Sequence, residues 1–340
     1  MLGLTGVALY LRGLKRLKES LANALLMRLT TTVIGSLPRL HEDLETSIRL
    51  AVDLQVKTGI DIVSDGEQRT DMLSYLSNSM HGVMAVGEKI CLTGRIKPVA
   101  NIEKSFKIVD FLEARRHIAE KGYSNSLKVG VTGPITFAFS AAMKNAGPYG
   151  NVRNIELYND VAHVVNKVAR LIQSYDGLTQ IDEPGISAGF LDPDRILEPL
   201  SIATEGLDPK LTSIHVCGKL NAKTIKSLSA TKNASVLSLE FAGSSGNIDL
   251  LSRSIMEESQ KKIGVGCMKV NVLSKNDLTT SERAVEIVSE VSSKIGVENV
   301  AYIHPDCGLR RTKRDLVFLI LENLVDASKA FKVRWEKLKN

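Results

Sequence analysis

The run LTSIHVCGKLNAKTIKSLSATKNASVLSLEFA (211–242) holds a short β-branched segment, a helical pattern and a second apolar segment in direct succession. Strand, helix, strand in so little chain indicates two parallel strands joined by a crossover helix. The same unit recurs outward in both directions. Strands are expected at TTVIGS (31–36), DIVSDG (61–66), KVGVTGP (128–134), LTQIDEP (178–184), LTSIHVC (211–217), SVLSLEFA (235–242), KIGVGCMKV (262–270) and VAYIHPDC (300–307). Amphipathic segments at 42–58, 152–175, 219–230, 281–295 and 312–335 lie between them. These eight units predict an α/β fold, a single (β/α)8 TIM barrel. The rival is an open doubly wound sheet, which normally carries a Gly-rich phosphate loop after its first strand. The chain has neither GxGxxG nor a P-loop. The long connection from Met72 to Leu127 reads as an insertion after strand 2, with a hairpin and then a helix near 103–121, lying over one mouth of the barrel.

Composition excludes several classes. The chain has 340 residues, 44% hydrophobic and 24% charged, a balance that supports a sizeable core and rules out a disordered or fibrous protein. Its charge of +6 is concentrated at one end. Residues 1–29 carry Arg12, Lys15, Arg16, Lys18 and Arg28 against Glu19, so the remainder is nearly neutral and no nucleic-acid partner is expected. The first uncharged stretch, Met1–Leu11, is far shorter than the roughly 20 apolar residues of a membrane span. Its basic residues follow the apolar run instead of preceding it, the reverse of a signal peptide. Residues 1–29 are therefore expected to form an N-terminal helical extension, with Leu11, Leu14, Leu17, Leu21 and Leu25 at helical spacing; a start at Met27 is the alternative. Residues 30–340 are expected to form the barrel, in a cytoplasmic protein without membrane attachment. The four cysteines, Cys91, Cys217, Cys267 and Cys307, are expected to be reduced.

Polar residues gather at the C-terminal ends of the expected strands: Ser36, Asp65-Gly66-Glu67, Asp182-Glu183, His215 with Cys217, Glu240, and Asp306-Cys307-Gly308. In a closed barrel these ends share one face, the one that carries catalysis. His215 and Cys217 are two apart in a strand and so point to one side. Imidazole and thiolate suit zinc; Cys307 could add a second sulfur, and Glu240 an oxygen or an open position. Glu67 and Asp182 at the mouth suit a pair of carboxylates gripping an ammonium group. Glu183, held extended before Pro184, reads as structural.

Together these motifs resemble the catalytic domain of cobalamin-independent methionine synthases, zinc enzymes that methylate homocysteine, in their short single-domain form. The matching stretches are TTVIGSLPR (31–39), SDGEQRTDM (64–72), VTGPIT (131–136), QIDEPGI (180–186), IHVCG (214–218), LSLEFA (237–242), GVGCMKVN (264–271) and HPDCGLR (304–310), in family order. The resemblance implies that His215, Cys217, Glu240 and Cys307 hold zinc, with Glu240 leaving when substrate sulfur arrives. It implies that Glu67 and Asp182 bind the homocysteine amine and are catalytic, while the Ile34-Gly35-Ser36 turn takes the carboxylate.

Two departures bear on the methyl donor. There is no room for the second barrel with which long members hold a polyglutamylated folate. Ungapped alignment also puts Lys269 where they have a histidine thought to protonate the departing folate, and an ordinary lysine, with a pKa of about 10.4, is a poor acid near neutrality. A methylated corrinoid, free or on a carrier protein, needs no such proton and is the expected donor; 5-methyltetrahydrofolate is the alternative. Two other readings remain open: a zinc alkyltransferase for another thiol such as coenzyme M, and a non-catalytic barrel that binds a methyl carrier.

Overall fold

The computed structural model describes residues 29–86 and 89–339. The extension expected over residues 1–29 lies outside the described residues, apart from Leu29. Seven strands form the main sheet: β1 (Ile62–Ser64), β4 (Ser126–Thr132), β5 (Leu178–Asp182), β6 (Thr212–Val216), β7 (Val236–Glu240), β8 (Lys262–Met268) and β9 (Val300–Pro305). Each pairs in parallel with the next in that order. A separate antiparallel pair, β2 (Met80–Val86) and β3 (Lys89–Pro98), is the hairpin of the expected insertion.

The ring closes through the segment that the sequence marks as its first strand. Thr31 bridges Ile303 of β9 and Thr32 bridges Ile62 of β1, both in parallel sense. Thr32 N donates to Ile303 O at 3.0 Å, and Ile62 N to Thr31 O at 3.0 Å. The expected strand over 31–36 thus shrinks to this two-residue clasp. Beyond it the backbone serves the mouth: Ile34 O accepts from Gln180 Nε2 at 2.9 Å, Gly35 O from Ser64 Oγ at 2.8 Å, and Ser36 O from Leu309 N at 2.7 Å. Carbonyls spent on loops and side chains cannot continue a ladder.

Strand alternation separates two environments. Val129, Val131, Ile181, Ile214, Leu237, Leu239, Ile263 and Val265 are buried in the apolar core. Intervening positions Lys128, Gln180, Ser238 and His304 are also buried, but they bond in pairs, Lys128 Nζ to Gln180 Oε1 and Ser238 Oγ to His304 Nε2. Gly264 leaves space for the Tyr302 ring, since a Cβ there would lie 2.4 Å from it.

The enclosing helices follow their amphipathic patterns. Ile155–Gln173 starts at Asn154, whose side chain accepts from Glu156 N, and it buries Leu157, Val161, Val164, Val165, Val168 and Ile172. Each such side chain contributes about 1.5–3 kcal/mol of burial. Leu44–Thr58, Ser281–Ile295 and Arg314–Lys339 supply comparable layers. In the insertion, the helix Phe106–Lys121 stops at Gly122, which is left-handed at φ 65°. The hairpin is fastened by Tyr149 Oη, which accepts from Ile96 N at 2.8 Å and donates to Asp160 Oδ2 at 2.6 Å. Among the described residues no helix is long and apolar enough to cross a membrane.

A candidate metal centre beside a carboxylate pocket

His215 is the penultimate residue of β6 and is buried. Its Nδ1 lies 3.1 Å from both Ser238 O and Ser238 Oγ. Ser238 Oγ is 2.9 Å from His304 Nε2, and His304 Nδ1 is 2.7 Å from Pro305 O. A carbonyl only accepts, so His304 carries its proton on Nδ1 and takes the Ser238 hydroxyl proton at Nε2. Burial, reinforced by His215, pushes His304 down to about 3, which keeps it neutral and in this role. The Ser238 oxygens therefore receive the His215 Nδ1 proton. That leaves the lone pair on His215 Nε2, which is buried without a hydrogen-bond partner.

Two sulfurs complete a cluster. Cys217 follows β6 directly and Cys307 lies just beyond β9; their Sγ atoms are 3.5 Å apart. One ligand atom each from His215, Cys217 and Cys307 fits within 4.8 Å of the others. Two zinc–sulfur bonds of about 2.3 Å accommodate that sulfur separation, and a neutral imidazole with a bare Nε2 completes a donor set typical of zinc. The thiols share their protons unequally. The Cys217 contact and His215 draw Cys307 well below the usual thiol range, whereas Cys307 and burial push Cys217 up.

Glu240, the fourth ligand implied by the sequence, ends β7 with both oxygens already bonded. Oε2 accepts from Gly218 N and Oε1 from Ser244 Oγ, each at 2.8 Å. Its charge raises the proton affinity of Cys217, so it borders the cluster, but its oxygens do not belong to the three-atom group.

The carboxylates lie on the same mouth. Asp182 pairs in register with His215 on the neighbouring strand. Its Oδ1 accepts from Gln180 Nε2 at 2.7 Å; burial and the Glu67 charge push it up to about 7. Glu67 follows Gly66 in a turn where both residues have positive φ, 73° and 47°. That backbone is uncommon for a side chain larger than glycine. The turn is held by Asp65 Oδ1, which accepts from Glu67 N at 3.0 Å, and by Arg310, which donates to Glu67 O and Thr70 O. Gly130 makes room for both acids: a Cβ there would come within 2.4 Å of Asp182 Oδ2 and 3.7 Å of Glu67 Oε1. The Ile34-Gly35-Ser36 turn runs between the two ends of the site. Gly35 abuts the Glu67 side chain, and Ser36 abuts Gly308, the neighbour of Cys307.

Not every strand-end acid belongs to this pocket. Glu183 accepts from Ile135 N, Thr136 N and Thr136 Oγ1 at 2.6–2.8 Å, fastening the start of the helix Pro134–Ala142. Asp306 accepts from Phe241 N, Ala242 N and Gly243 N. Lys107 escaped the sequence reading: its Nζ reaches Glu67 Oε1 at 2.8 Å from the insertion. Ser238 and His304 escaped it too, since alternating polar residues in strands carry no mark of a mutual bond. Lys269 lines a groove of about 660 Å³, as do Ala242 and Arg283.

The comparisons with known proteins agree with this architecture. The family profile described as "Cobalamin-independent synthase, Catalytic domain" matches residues 30–330. A methionine synthase of Methanocaldococcus jannaschii is 31% identical over 326 residues, covering 89% of this chain and 99% of the relative. One from Methanothermobacter marburgensis is 30% identical, with 88% and 99% covered. Among solved structures, a B12-independent methionine synthase from Shewanella sp. W3-18-1, in complex with selenomethionine, superposes with a TM-score of 0.75. It is 21% identical and covers 92% of this chain and 99% of its own, which bears on the fold. The chain accordingly belongs to the cobalamin-independent synthase family, in its catalytic-domain type.

Proposed function

We propose that this protein is a zinc-dependent homocysteine S-methyltransferase that forms methionine. The observation that carries the reading is the bare, buried His215 Nε2 set against two sulfurs, one strand away from the under-bonded Asp182 carboxylate. Zinc bound by His215, Cys217 and Cys307 would lower the pKa of a substrate thiol, so that it reacts as thiolate near neutrality. Glu240, held by Gly218 N and Ser244 Oγ at the border of the cluster, would supply the fourth ligand until a substrate sulfur takes its place.

The chain's own residues orient the substrate. Glu67 and Asp182 bind the ammonium, and the burial that raises Asp182 is offset when that cation arrives. The Ile34-Gly35-Ser36 turn receives the carboxylate, between Glu67 and Gly308. Ser238 holds the His215 Nδ1 proton and so keeps the ring's other nitrogen available as a donor. The names of the two archaeal relatives support the product assignment. Lys269, at the position where long relatives have a histidine, favours a methylated corrinoid over 5-methyltetrahydrofolate as donor.

The test offers homocysteine with methylcobalamin and with 5-methyltetrahydrofolate in separate reactions and measures methionine. Methionine formed with methylcobalamin, and lost on chelation of zinc, supports the reading. Alkylation of coenzyme M with no turnover of homocysteine would overturn it, as would no transfer from either donor.

A further inference from the structure

The insertion sends one charged side chain into the mouth. Lys107 sits in the first turn of the helix Phe106–Lys121 and is 2% exposed. Its ammonium bonds Glu67 Oε1 and lies 4.1 Å from the centre of the Tyr75 ring. Tyr75 is itself fixed: its hydroxyl donates to Asp110 Oδ2 at 2.7 Å, and Arg69 also pairs with Asp110. Lys107 thus already holds the carboxylate proposed to receive the substrate ammonium.

A second acceptor is at hand. Asp65 is fully buried; its Oδ1 takes the Glu67 N–H, while its Oδ2 has no hydrogen-bond partner. Burial pushes Asp65 up to about 6, and the strongest influence opposing that rise is the charge of Lys107. Glu67, Asp65 and Asp182 all act on Lys107 as counter-charges. A buried ammonium displaced from one carboxylate needs another at once, because an unpaired buried charge is strongly unfavourable.

We propose that Lys107 is a positioning residue of the amine site, paired with Glu67 in the free protein and handed to the open oxygen of Asp65 when a substrate ammonium takes Glu67. This rests on the proposed role of Glu67 in amine binding. One ion pair replaces another, so an amino-acid thiol binds without leaving a bare charge. A thiol without an amine leaves Lys107 on Glu67. The handover couples recognition of the amine to the insertion that carries the lysine.

A double-mutant cycle tests it, with homocysteine affinity of the zinc-loaded protein read by calorimetry. Asp65→Asn should weaken homocysteine by roughly 30-fold, because Lys107 loses its second partner. In a Lys107→Met background the same change should have little effect, since no lysine needs rehousing. Equal losses in both backgrounds, or none in either, would overturn the handover. A second comparison needs no Asp65 variant: the preference for homocysteine over 4-mercaptobutanoate, which is homocysteine without its amine, should be about the same in Lys107→Met as in wild type, because the lysine exchanges one carboxylate for another. A preference changed about tenfold or more would mean that the displaced lysine finds no second partner, and would contradict the proposal. Glu67→Gln separates the two levels of argument. If that variant binds homocysteine as wild type does, the amine-site reading fails; if it binds poorly while the cycle shows no coupling, only the handover fails.

Discussion

Two sets of buried carboxylates end the strands of this barrel, and they are bonded differently. Glu183 and Asp306 each accept three hydrogen bonds, among them the backbone N–H groups of adjoining turns. Among the described residues Asp182 has one donor, the Gln180 amide, and Glu67 has one, the Lys107 ammonium. A carboxylate with its lone pairs committed to the main chain is a structural fastener, and one held by a single side chain keeps capacity for a ligand. All four follow short apolar runs and look alike in the sequence. The number and kind of donors tells them apart.

That contrast predicts which substitutions harm chemistry and which harm folding. Asp182→Asn should reduce kcat/KM for homocysteine by about 1000-fold, because a buried ammonium loses half of its charge partnership. Thermal unfolding should stay near wild type or rise. A large fall in Tm with kcat/KM preserved would place Asp182 among the fasteners. Glu183→Gln should do the opposite, removing about 3 kcal/mol from the unfolding free energy in denaturant titrations at about pH 8, where Glu183 is ionised, since a neutral amide cannot accept all three bonds. Zinc-loaded, folded protein should keep its kcat.

The fasteners also set a pH trend. Burial pushes Glu183 up to about 7 from an ordinary value of 4.5. The folded protein therefore retains a proton that the unfolded chain releases, and stability falls as pH rises from about 4.5 to about 7. The loss is on the order of 3 kcal/mol from this group. Glu183→Gln should flatten that part of the pH–stability curve; an unchanged slope would remove Glu183 as its source. Two glycines sharpen the comparison at the smallest scale. An added Cβ would meet Asp182 Oδ2 at 2.4 Å from Gly130 and Glu183 Cδ at 2.2 Å from Gly133. Gly130→Ala should raise KM roughly tenfold with little change in Tm, whereas Gly133→Ala should remove about 1–2 kcal/mol of stability and leave KM alone. Matching effects of the two changes on KM would erase the distinction.

Much of this was legible in the sequence, for reasons that can be named. Alternation of β-branched runs with amphipathic segments shows the barrel, because parallel strands need crossovers. The two-residue spacing of His215 and Cys217, with Cys307 at the end of the last strand, pointed to the His-Cys-Cys cluster that the structure brings together, because strand ends converge on one face. TTVIGS misled because β propensity does not reveal that Ile34, Gly35 and Ser36 give their carbonyls to Gln180, Ser64 and Leu309. Lys107 was illegible for a different reason. It lies 40 residues from Glu67 within an insertion whose helical pattern gives no sign of which turn meets the mouth. The relay from His215 through Ser238 to His304 was hidden for the same reason, since it joins three separate strands.

The central claim is that His215, Cys217 and Cys307 form one zinc site. Zinc analysis of the purified protein with X-ray absorption at the zinc edge tests it most directly. The expected result is about one zinc per chain with two sulfur neighbours near 2.3 Å, and loss of most of the metal in Cys307→Ser. A zinc shell without sulfur, or full zinc retained by Cys217→Ser and Cys307→Ser alike, would contradict it.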